Sequence, residues 1–191
     1  MRISAKPLGE YPWYLRPFFW NQKRKYGDVL LPALLWARVP SLFAAVALLY
    51  GAFERKRARL DPVLRALVTV RVSQINWCRF CMDINAFILA KRTGSMEKTE
   101  AVSQWRESVL FTEKEKAVLE YTEVITYTDQ QVTDDLMGRL RSFFDEDAIV
   151  ELTGLVAFQN LSSKFNSALD VPPQGFCSRP SENLIEPASK T

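Results

Sequence analysis

Residues 64–85 read LRALVTVRVSQINWCRFCMDIN and close on a Cys-x-x-Cys pair, Cys78 and Cys81. Just upstream, Asp61-Pro62 is an N-cap followed by a proline at the first helical position, so a helix is expected to open there and run to about residue 74. The alternation of Val68, Thr69, Val70 and Val72 also suits a short strand. With no second strand in the chain to pair with it, helix is the expectation. Asn76 is then placed to cap a second helix that carries both cysteines in its first turn and runs toward Arg92, with Gly94 just past its end.

Outward from this stretch the signals stay helical, and the fold class read from them is all-α. Thr112, followed three residues later by Glu115, fits a capping box, while Thr133 and Asp145 can cap the next two helices. The last helix is expected over about 147–169, where Val171-Pro172-Pro173 stops it. Upstream, residues 39–53 (VPSLFAAVALLYGAF) carry no charge and have Pro40 in position for a first helical turn. As a helix this run spans about 22 Å, short of the roughly 30 Å hydrocarbon core of a bilayer. It reads as a buried core helix or an oligomer-interface helix, with an interfacial membrane helix as the alternative. Tyr11, Trp13, Tyr14, Phe18, Phe19 and Trp20 make the N-terminus an aromatic arm, suited to packing on the core or on a neighbouring subunit, or to covering the thiols.

Composition removes several function classes. The 191 residues are 48% hydrophobic, enough to bury a core without disulfide staples. A net charge of +3 from 25 basic and 22 acidic side chains is too balanced for a nucleic-acid footprint. There is no histidine, and Cys177 is the one thiol outside the pair, so a structural zinc site lacks its ligands; no metal and no cofactor are expected. The N-terminus lacks the apolar core and cleavage site of a signal peptide, and the expected compartment is the cytoplasm. There a Cys-x-x-Cys pair is more often catalytic or redox-sensing than a permanent staple.

Three-residue spacing on a helix puts Cys78 and Cys81 on one face, near enough to close a disulfide. Unpaired N–H groups and partial positive charge at a helix start favour thiolate over thiol. On that ground alone Cys78, nearer the start and expected to be better exposed, is the attacking thiol. Asp83, if close, opposes a second negative charge, and Cys177 reads as a buried free thiol.

The stretch 64–85 resembles the core motif of the carboxymuconolactone decarboxylase or alkylhydroperoxidase D-like (AhpD-like) family. Residues 160–172, NLSSKFNSALDVP, resemble its closing asparagine-rich helix. The resemblance implies an AhpD-like multi-helix domain over 40–177, an extension over 1–39, a loose tail over 178–191, and assembly as a homo-oligomer. It implies that Cys81 attacks a peroxide and that Cys78 resolves the sulfenic acid to a disulfide, which a thiol reductant then resets. Family peroxidases carry a glutamate twelve residues before the first cysteine and a histidine four after the second. Here those positions are Ala66 and Asn85. Neither titrates; Asn85 can still donate a hydrogen bond to a thiolate or peroxide oxygen, and Asp83 and Glu151 are the candidate replacement bases. The expected function is therefore a slow cysteine-pair oxidoreductase acting on a hydroperoxide or a disulfide. The alternatives are a non-catalytic oligomeric module and, last, lactone decarboxylation. No nucleic-acid or membrane partner is expected.

Overall fold

A computed structural model describes residues 1–178, and among these every regular element is helical. The expected tail, 178–191, lies outside the described residues except for Ser178. Among the described residues two compact units are present, residues 1–58 with 168–172, and residues 59–167 with 173–178.

In the first unit, two single 3-10 turns lead into α1 (Arg16–Tyr26), α2 (Leu31–Trp36) and α3 (Pro40–Phe53). The aromatic arm builds much of this unit's core. Tyr11, Leu15 and Phe19 are buried with Ala33, Leu34 and Phe43, and Phe18 meets Phe43 edge-on at 4.7 Å. Tyr11 keeps its hydroxyl satisfied inside by donating to the Leu34 carbonyl at 2.9 Å. Trp13, Tyr14 and Trp20 face solvent. Pro40 opens α3 as its residue type requires, but only Phe43 and Phe53 of this uncharged helix are buried. Within a single chain α3 is thus not a core helix. No helix among the described residues is long and apolar enough to cross a membrane.

The second unit holds α4 (Pro62–Ile75), α5 (Arg79–Thr93), α6 (Glu97–Ala101), α7 (Glu113–Thr126), α8 (Asp134–Arg141) and α9 (Glu146–Ala168). Four of the predicted N-caps are in place. Asp61 accepts from Leu64 N at 2.9 Å, Thr112 and Glu115 form the reciprocal capping box, Thr133 accepts from Leu136 N, and Asp145 from Ala148 N. The β-branched run 68–72 lies within α4; its burial alternates, but Leu64, Arg65, Ala66, Leu67 and Ser73 around it are buried as well, so the helix is covered on more than one side. Buried Glu151 on α9 accepts the backbone N–H groups of Arg59 and Leu60, tying the entry to α4 against α9.

Candidate active site

The junction between α4 and α5 positions the thiols. At the end of α4, Trp77 N–H returns to the Gln74 carbonyl and Cys78 N–H to the Ser73 carbonyl, a Schellman pair of bonds. That motif needs a left-handed residue, and Trp77 supplies it with φ of 51°. The chain reverses at once, and the very next residue, Cys78, is the N-cap of α5. Asn76, expected as that cap, instead closes α4. The helix therefore starts two residues later than its sequence suggests, because the left-handed backbone of Trp77 cannot be its first residue.

Cys78 and Cys81 are joined in a disulfide with their Cα atoms 5.1 Å apart. Among the described residues each sulfur receives one N–H. The Cys78 Sγ accepts from the backbone of Cys81 at 3.2 Å, and the Cys81 Sγ accepts from the Asn166 Nδ2 at 3.2 Å. Cys78 is not the better exposed of the two: they are 1% and 2% exposed. Asn166 on α9 reaches Cys81, so the buried pair lies against that helix. Their surroundings are polar as well as apolar. Asn76 donates to Asn160 at 2.8 Å and accepts through its carbonyl from Ser167 at 2.9 Å, and Asn160 donates on to Thr126 at 3.1 Å. A second chain of bonds links Gln159 to Ser73 and to Ser163.

Asn85 lies on α5 one turn beyond Cys81 and donates to the Ser73 Oγ at 3.0 Å. Ala66 is buried in α4. Asp83 is engaged away from the sulfurs, where its two carboxylate oxygens receive the backbone N–H groups of Gln174, Phe176 and Cys177, each at 2.9–3.0 Å. These bonds hold Phe176 fully buried, edge-on to Phe80. Cys177 is exposed, not buried as expected, and its Sγ donates to the Asp83 carbonyl. Its thiol is pushed up, by the partial burial of the sulfur first and by the Asp83 charge second, which leaves it a poor nucleophile at neutral pH.

A model of the carboxymuconolactone decarboxylase family matches residues 32–124. The uncharacterized protein YnjA of Escherichia coli is 47% identical over 178 residues, covering 93% of this chain and 98% of that one. The chain belongs to the carboxymuconolactone decarboxylase family. Solved structures agree on an AhpD-like fold. An AhpD-core, peroxidase-related protein from Ralstonia eutropha superposes with a TM-score of 0.83 at 20% identity, over 92% of this chain and 93% of that one. A peroxidase-related protein from Silicibacter gives 0.82 at 19% identity, over 91% of each chain.

As a carboxymuconolactone decarboxylase family member, this chain brings its two cysteines together and sets Asn85 one turn away on the same helix. Neither candidate replacement base is free, since Asp83 holds the 174–177 segment and Glu151 the start of α4. Sequence reasoning missed Asn166. Its signal was present in the polar positions 159, 160, 163, 166 and 167, which recur at helical spacing and line one face of α9.

Proposed function

We propose that this protein is a cysteine-pair oxidoreductase that reduces a hydroperoxide, or exchanges disulfides, in the cytoplasm, and is reset there by a thiol reductant. The observation that carries the reading is the Cys78–Cys81 bridge across the opening turn of α5, with an N–H aimed at each sulfur. Donors at those positions stabilise a thiolate more than a disulfide sulfur, which favours a reactive reduced state.

In the proposed cycle the Cys81 thiolate attacks the distal peroxide oxygen. An S–O bond forms, the O–O bond breaks, and the departing alkoxide takes a proton to leave as alcohol. The Cys78 thiolate then attacks the Cys81 sulfur, forming the S–S bond and releasing hydroxide, which becomes water. A dithiol reductant restores both thiols by exchange. With no histidine, alanine at position 66 and Asn85 engaged with Ser73, general-base help worth ~10²–10⁴ in rate is missing, and turnover is slow.

Reduced protein treated with one equivalent of hydroperoxide loses two thiols per chain under this reading. The Cys81→Ser variant consumes no peroxide, whereas full activity in that variant rejects the assignment of the attacker. The non-catalytic alternative draws support from the burial of both sulfurs. An unchanged thiol count in folded wild-type protein favours it.

A further inference from the structure

Asn166 is 2% exposed, and its side chain is divided between a partner and none. Its Nδ2 donates to the Cys81 Sγ, while its Oδ1 finds no donor among the described residues. The orientation of the amide follows from the sulfur's state. A disulfide sulfur carries no hydrogen, so only the nitrogen end of the amide can bond to it. Oxygen is then left without a hydrogen in the bridged form. A buried carbonyl oxygen of this kind is expensive to leave unpaired, and native interiors hold few of them.

Resting on the oxidoreductase reading above, we propose that Asn166 activates Cys81, its Nδ2 stabilising the thiolate before attack and its Oδ1 receiving the hydrogen of the sulfenic acid that attack creates. The steps leave the balance unchanged. Cys81 takes one oxygen from the hydroperoxide and is oxidised by two electrons, the peroxide is reduced to alcohol, and the S–O–H hydrogen is the one the hydroperoxide brought. When Cys78 displaces hydroxide and the bridge closes, that hydrogen leaves and Oδ1 is orphaned again.

Two consequences follow from one side chain. A charge-assisted hydrogen bond to the thiolate makes Cys81 more acidic than it would otherwise be, which supplies a physical ground for Cys81 as attacker. The same N–H bond is stronger to a thiolate than to a disulfide sulfur, which lowers the free energy of the reduced pair relative to the bridge, so the bridge is the stronger oxidant. Ala66 and Asn85 stand where the family relay would be, and Asn166 acts on the same sulfur from the opposite element, α9.

The test uses the full-length protein with Asn166→Ala and Asn166→Leu, the second filling the side chain's volume without a polar atom. Asn160→Ala is the comparison, since it removes half-buried bonds from the same face of α9 that do not reach a sulfur. Peptide-resolved alkylation of the reduced proteins across pH is the readout, with the equilibrium against a glutathione redox buffer as the second. Both Asn166 variants are expected to slow Cys81 alkylation at pH 7 by about tenfold, with Cys78 little changed. The same tenfold in the thiol–disulfide equilibrium lowers the reduction potential by about 30 mV. An unchanged Cys81 profile in Asn166→Leu, or an equal shift in Asn160→Ala, overturns the proposal. Its failure is distinguishable from that of the oxidoreductase reading, which is judged on whether wild-type thiols are lost to hydroperoxide at all.

Discussion

Glu123 is 4% exposed yet held as a carboxylate. Burial pushes its pKa up, but hydrogen bonds from Trp105 and Arg106, with the charges of Arg71 and Arg106, outweigh that and hold it below the ordinary carboxylate value. The contacts are close: Arg71 Nε at 2.6 Å, Trp105 Nε1 at 2.8 Å and Arg106 at 2.5 Å. Glu123→Gln keeps the shape and removes the charge that pairs Arg71, at a cost of about 3 kcal/mol at neutral pH. A carboxyl with a depressed folded pKa contributes stability above its unfolded pKa and loses it as pH falls through the folded one. The gap between wild type and Glu123→Gln in denaturant titrations is therefore full at pH 7 and closes below about pH 4. A gap that persists at low pH would show that packing, not charge, is what Glu123 contributes. The cysteines differ from each other at this same scale. Spacing makes Cys78 and Cys81 a pair, but which groups bond to each sulfur depends on residues up to 85 positions away.

At the scale of elements, the α4–α5 junction is the device that makes the site. Its left-handed position is held by Trp77, a residue 82% exposed that gains little from packing. Such a backbone conformation costs a bulky residue on the order of 1 kcal/mol. Trp77→Gly is expected to raise the unfolding free energy by about 1 kcal/mol, with the Cys78–Cys81 bridge still forming. Loss of stability in urea titration would show that the indole makes contacts its exposure does not suggest. Caps that use only neighbouring residues are legible in the chain: Asp61, Thr112, Thr133, and Gly94, which closes α5 at φ of 72°. Asn76 is not, because a cap-type residue fits either end of a helix, and the choice depends on whether Trp77 accepts a left-handed turn that its residue type disfavours.

For the whole molecule, the expected homo-oligomer has a natural place to form. α3 carries no charge and leaves Leu42, Leu48, Leu49 and Tyr50 exposed, Leu48 at 76%. Apolar side chains crowded on one exposed helix are those that association covers. Leu48→Glu is expected to shift light-scattering mass toward the single chain while leaving helix content unchanged, and an unchanged mass places the contact elsewhere. Residue types, periodicity and caps determined on their own that this chain is helical, where most helices open, and that two thiols share one end of a helix, because each of those facts is set by groups within a turn of each other. Only the tertiary structure decided that both sulfurs are enclosed, that Asp83 serves the 174–177 segment, and that the amide at Cys81 comes from Asn166. Those outcomes depend on which faces of distant helices meet, and buried polar groups take the partners that packing brings to them.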